Sequence, residues 1–213
     1  MISSGVAFVI ICSLFFLARH LMLNTYVRYM SLNNSRMLTG EELAMEMAKA
    51  KRRPTVSVEY AQGVLTDHYN AISNTVYLSS TNFYGRSIGA LAIATHEVGH
   101  ACQTFHSRFL PSISYPVCAL TGFLTLVCNH KGTILLFLAY IPFAALQLVV
   151  LLVELNASRR AKRWIRDSGK FTQPDYLGAC KVLNAAAFTY VAVFFTCLIH
   201  VLHLSYLSKL LVF

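Results

Sequence analysis

Four stretches of this sequence approach the roughly 20 consecutive apolar residues with which a helix crosses a hydrocarbon core about 30 Å thick. They are Gly5 to Ala18, Ser112 to Cys128, Thr133 to Val153 and Val182 to Leu204, the second interrupted by Tyr115 and Pro116. A chain of 213 residues built around such stretches, 56% hydrophobic and only 13% charged, does not have the composition of a soluble globule. It reads as an α-helical membrane protein with about four transmembrane helices, and a small polar remainder has to carry any chemistry.

The basic residues give that remainder a side. Nine of the 18 Lys and Arg lie between Arg19 and Arg108 and seven between Arg159 and Lys181, leaving only Lys131 and Lys209. A single first span, a hairpin closed by Asn129 to Gly132 and a last span put both basic segments on one face, and the positive-inside tendency makes that face cytoplasmic. The first apolar run has no Lys or Arg ahead of it, as a cleavable signal peptide would, so it is read as a retained anchor. The formal charge of +9 is therefore assigned to topology and not to nucleic acid, since no basic stripe interleaved with aromatics is present. Six cysteines, scattered mostly through apolar runs without a C-x-x-C pair, read as reduced packing residues.

These readings divide the chain into an N-terminal anchor over 1–23, a first polar region over 24–110, a transmembrane hairpin over 111–153, a cytoplasmic helix over 154–181 and a C-terminal transmembrane helix over 182–213. Within the first polar region, Thr39-Gly40-Glu41-Glu42 has the pattern of a capping box and opens a short amphipathic helix carrying Leu43, Ala44, Met47 and Ala48. Thr55 to Tyr60 and Asn74 to Ser79 alternate like strands, with the turn-rich Asp67-His68-Tyr69-Asn70 between them. From Ser87 to Thr104 the chain is helical again, apolar on most of its surface and so expected to be buried.

That buried helix carries His96-Glu97-Val98-Gly99-His100, an H-E-x-x-H pattern. Residues four apart on a helix are about 40° from eclipsed and about 6 Å apart along the axis, so both imidazoles can reach one tetrahedral zinc. Glu97 then lies beside the remaining coordination position, where its carboxylate can act as the base toward water acidified by the metal. Two histidines and a glutamate in the middle of an apolar helix would cost several kcal/mol in desolvation without a metal or partner. A catalytic zinc needs a third protein ligand. Of the acids beyond the motif, Glu154 follows an uncharged span directly, where an unpaired carboxylate is costly; pairing with Arg159 or Arg160 is the alternative.

Four blocks, Arg36 to Gly40, Gly63 to Tyr69, Ala94 to Gln103 and Glu154 to Ala161, occur in an order that resembles the YugP-like bacterial family of neutral zinc metallopeptidases over nearly the whole chain. The resemblance implies a membrane gluzincin with a small α+β zincin-like region. It implies one catalytic Zn²⁺ held by His96, His100 and Glu154, with Glu97 as general base. The block around Glu154 is also distantly similar to HtpX-like and CAAX prenyl proteases, which carry an Asp one turn after the ligand Glu where this chain has Ser158. Asp67 or His68 is a candidate to hydrogen-bond a ligand imidazole or to stabilise an oxyanion, although turn chemistry also favours such residues. Asn74 to Ser79 is a candidate edge strand for strand addition by substrate.

The expected activity is hydrolysis of peptide bonds in a protein or peptide substrate associated with the lipid bilayer, at the cytoplasmic face of a multi-pass bacterial plasma-membrane protein. A metal transporter or sensor is the second reading, resting on His200 and His203 in the last span. A catalytically silent scaffold is the third, disfavoured because structural zinc sites usually close with four protein ligands.

Overall fold

The computed structural model describes residues 4–104 and 133–210 and, between them, 113–114, 116–117, 119–121 and 123–124. Its elements are α1 (Ser4–Met30), α2 (Gly40–Ala50), β1 (Ser57–Ala61), β2 (His68–Asn70), β3 (Thr75–Ser79), α3 (Ser80–Phe83), α4 (Ile88–Ala101), α5 (Thr133–Asp167) and α6 (Gln173–Leu210). The chain is mostly helical with one small three-stranded sheet. Among the described residues, three helices, α1, α5 and α6, are long and apolar enough to cross a membrane. The stretch expected as a fourth span, Ser112 to Cys128, lies largely outside the described residues. Both α5 and α6 run well past the apolar stretches from which they were expected, so Glu154 stands inside a continuous helix.

The chain divides into two compact units. One comprises Met1–His20, Phe109–Leu152 and Phe188–Phe213; the other comprises Leu21–Arg108 and Val153–Ala187. In the first unit, Leu136, Tyr140, Phe143 and Ala144 recur at helical spacing along α5 and pack with Cys197 and Leu204 of α6. Phe8, Phe16, Leu135 and Leu202 remain about two-thirds exposed.

The second unit has an ordinary core. Leu43, Met47, Val76, Leu78, Leu91, Val98, Trp164, Ile165 and Leu183 bury one another there. The capping box forms as the sequence indicates: Thr39 accepts from the Glu42 amide and Glu42 accepts from the Thr39 amide. The sheet departs from expectation in two places. His68–Asn70, read as turn, is a short strand pairing antiparallel with β3. Asn74 to Ser79, read as an edge, supplies the central strand, because β1 pairs in parallel on the other side of β3 and the order is β1-β3-β2. Buried Thr75 and Ser79 at the two ends of β3 fit this central position.

Connections in this unit are tied by side chains. Asn34, almost wholly buried, donates to the carbonyls of Leu38 and Arg86 and accepts from the Leu38 amide. Asp175, in the first turn of α6, accepts from the Thr172 amide and hydroxyl and from the amide and hydroxyl of Ser35. These bonds satisfy a helix start and fix the loop that follows α1.

Candidate metal centre

The helix that carries His96 and His100 starts at Ser87, whose hydroxyl accepts from the Ala90 amide. It is buried along most of its length, with Leu91, Ala92, Ala94, Val98 and Ala101 inaccessible. At Gly99 it meets α5 backbone to backbone: a Cβ there would stand 2.6 Å from the Ala157 carbonyl oxygen. Glycine on one helix and alanine on the other allow this approach, and it sets Glu154, one turn before Ser158 on α5, against the histidine pair.

The three expected ligands come together. His96 Nε2 and His100 Nε2 are 3.1 Å apart, and Glu154 Oε2 lies 3.2 Å from the first and 3.6 Å from the second. Donors about 2.0–2.1 Å from a tetrahedral ion stand about 3.3 Å from each other, so the triangle fits a zinc ion. Two imidazoles and one carboxylate also form the donor set of catalytic zinc sites, in which a fourth position is left to water or substrate. Among the described residues this is the one group of three or more such side chains close enough to share an ion.

The outer nitrogens of both rings are engaged, which turns the inner ones toward the shared centre. His100 Nδ1 donates to Gln103 Oε1 at 3.0 Å, and Gln103 in turn donates from Nε2 to the Val153 carbonyl at 2.7 Å. His96 Nδ1 lies 3.1 Å from Ser158 Oγ. Ser158 therefore takes the position from which a side chain one turn beyond Glu154 steadies an imidazole. The resemblance marks Ser158, because it stands where the distantly similar proteases carry an Asp one turn after the ligand Glu. Gln103 was passed over, because its role depends on meeting α5 fifty residues away.

Burial and charge act against each other here. Burial alone would push the His100 imidazole down; the hydrogen bond and charge of Glu154, joined by Glu97 and Gln103, outweigh it and raise it to about 9 in the protein by itself. Glu97 is buried, and burial raises its pKa against the lowering influence of His96 and His100, with Glu154 and Asp67 adding to the rise.

The other candidate residues have hydrogen-bond partners outside the ligand triangle. Asp67 accepts from the Ser79 amide at 2.8 Å, from the Ser79 hydroxyl and from Asn82 Nδ2 at 2.9 Å, so it ties the end of β3 to α3. His68 is exposed, with Nδ1 2.8 Å from the Thr66 carbonyl and its ring stacked on Tyr77. Neither makes a described hydrogen bond to His96 or His100. In the first unit His200 bonds the Thr196 carbonyl at 3.0 Å and stacks on Tyr140. Arg160 bonds Asn156, not Glu154.

Residues 5–209 match the family described as "Putative neutral zinc metallopeptidase". A relative named "Putative membrane protease YugP", from Bacillus subtilis (strain 168), is 37% identical over 191 residues, covering 83% of this chain and 84% of the relative. No solved structure matches.

Proposed function

The chain belongs to the "Putative neutral zinc metallopeptidase" family, and from that membership we propose that it is an integral-membrane endopeptidase whose zinc is held by His96, His100 and Glu154. The observation that carries the reading is the donor triangle, drawn from two helices and closed to within 3.6 Å on every edge. When bound, zinc supplies Lewis acidity that polarises a scissile carbonyl and brings a water near neutral pKa. Glu97 takes the proton of the attacking water and hands it to the departing amine, and the upward push that burial gives its pKa suits a group that must both accept and release a proton. Gln103 and Ser158 hold the two imidazoles in the orientation this requires.

The arrangement is that of a gluzincin, with a zincin-like region over 24–110 followed by a hairpin over 111–153 and the helix that supplies Glu154. Four spans, counting Ser112 to Cys128, place the anchor of 1–23 and the last helix of 182–213 in the bacterial plasma membrane. The concentration of Lys and Arg in the two polar segments turns the site toward the cytoplasm. A site within a few residues of an apolar stretch on α5 suits substrates that are themselves membrane-associated.

The test is the Glu97→Gln variant of the purified full chain. Zinc content should equal that of the wild type, while cleavage of a peptide library should fall about 10²–10⁴-fold, the size of a lost acid-base group. Full cleavage by Glu97→Gln would reject the mechanism.

A further inference from the structure

A second polar notch lies in the unit that holds the metal centre, lined by Asn24, Thr25, Arg28 and Tyr29 of α1 and by Lys181 and Asn184 of α6. We propose that it binds the phosphate of an anionic phospholipid. The two helices are locked together beside it: a Cβ on Gly178 would stand 2.8 Å from the ring of Tyr29, which is buried. The notch is thus a product of tight packing, and its cavity of ≈ 350 Å³ is within the size range of small-ligand sites.

Its chemistry is one-sided. Arg28 and Lys181 supply two cations, and a third helix adds a third, since Lys162 of α5 donates to Asn184 Oδ1 at 2.6 Å and leaves the Asn184 amide group as a donor. No carboxylate lines the notch, and among the described residues none of these three cations makes an ion pair with an acid. A guanidinium, an ammonium and side-chain amides around one cavity match the oxygens of a phosphate.

The place of the notch along the two helices selects the source of that phosphate. Residues 5–23 of α1 carry Arg19 as their one charged side chain apart from His20, and residues 185–207 of α6 carry no Asp, Glu, Lys or Arg. The notch begins within a residue or two of both apolar stretches, at the level where a spanning helix meets lipid headgroups. This inference rests on the membrane reading of α1 and α6.

The experiment titrates the full chain, in neutral detergent, with phosphatidylglycerol, phosphatidylcholine or free glycerol phosphate and follows the unfolding temperature. Phosphatidylglycerol should raise it and the other two should not. R28Q/K181Q should need roughly 30-fold more phosphatidylglycerol for the same rise, on a scale of about fivefold per cation removed at an anionic surface. R28K/K181R should keep most of the response, and K49Q/R53Q, which removes two exposed cations elsewhere, should keep all of it. An undiminished response in R28Q/K181Q, an equal loss in K49Q/R53Q, or an equal rise with glycerol phosphate would each overturn the proposal, the second by showing diffuse charge and the third a soluble anion site. Alkaline carbonate extraction of membranes separates the two failures: a chain released by carbonate refutes the membrane reading and the lipid site with it, whereas a retained chain with no lipid preference refutes the lipid site alone.

Discussion

The two units dispose their apolar side chains in opposite ways. In the unit of Leu21–Arg108 and Val153–Ala187, apolar side chains such as Leu43, Met47 and Leu91 are fully buried, and buried polar side chains such as Asn34, Ser79 and Asp175 are hydrogen-bonded. In the unit of Met1–His20, Phe109–Leu152 and Phe188–Phe213, large apolar side chains such as Phe8, Phe16 and Leu202 face outward. The same α5 serves both, giving Phe143 to one unit and Glu154 to the other. The contrast shows where a small chain concentrates its packing: the fully buried leucines belong to the same unit as the carboxylate and the two imidazoles.

The sharpest way to break this contrast is to truncate one apolar residue of each kind. Leu43→Ala should cost about 2–5 kcal/mol of stability in chemical denaturation, as for other fully buried leucines. Phe16→Ala, at a side chain 66% exposed, should leave stability in detergent almost unchanged. Equal losses would mean that the two surfaces are not solvated differently. Next in size is Gly99→Ala. Its new Cβ would press on the Ala157 carbonyl, so a loss of about 1–3 kcal/mol is expected, together with reduced zinc content on metal analysis. Wild-type zinc content in this variant would show that the close approach of α4 and α5 does not set the ligand triangle.

Removing the groups that orient the imidazoles sharpens the same point. Ser158→Ala and Gln103→Leu should each weaken zinc binding about 10–100-fold in competition with a chelator while leaving the fold intact. Unchanged affinity in both would make these contacts incidental.

How much of this was readable beforehand depended on how local the signal was. The long apolar helices, the capping box at Thr39 and the zinc motif each declare themselves within one stretch of chain, through composition or spacing alone. The sheet did not. A three-residue strand such as His68–Asn70 is too short to show alternation, and its Asp, His and Asn neighbours carry turn chemistry. The central place of β3 was hidden because two of its buried side chains, Thr75 and Ser79, are polar, and Ser79 donates from both its amide and its hydroxyl to Asp67, twelve residues before it. Asp67 lies close enough to Glu97 to help raise its pKa, and its hydrogen bonds hold the strand that ends beside α3. Gln103 is less legible for a similar reason: its bond to His100 is local, but the Val153 carbonyl that holds its amide group lies fifty residues away on α5.

The smallest effect concerns the polar unit's surface. Glu46 receives hydrogen bonds from Arg36 at 2.6 Å and Lys170 at 2.5 Å. Partial burial would raise its pKa, but these two cations outweigh it and hold the carboxyl below its ordinary value. A carboxylate depressed in the folded state stabilises at pH values above its unfolded pKa of about 4.3 and loses that contribution as pH falls through the folded value. With all three side chains partly exposed, Glu46→Gln should therefore cost about 0.2–1 kcal/mol at neutral pH and nothing in strong acid. A pH-independent difference between the two proteins would contradict that assignment.

The central claim, that two imidazoles of α4 and one carboxylate of α5 share a single zinc, is tested most directly by zinc X-ray absorption spectroscopy. It would be combined with metal analysis of the purified wild type and of Glu154→Gln. The account predicts one zinc per wild-type chain in a shell of nitrogen and oxygen only, and a large loss of zinc from Glu154→Gln. Sulfur in the zinc shell, or wild-type stoichiometry in Glu154→Gln, would contradict it.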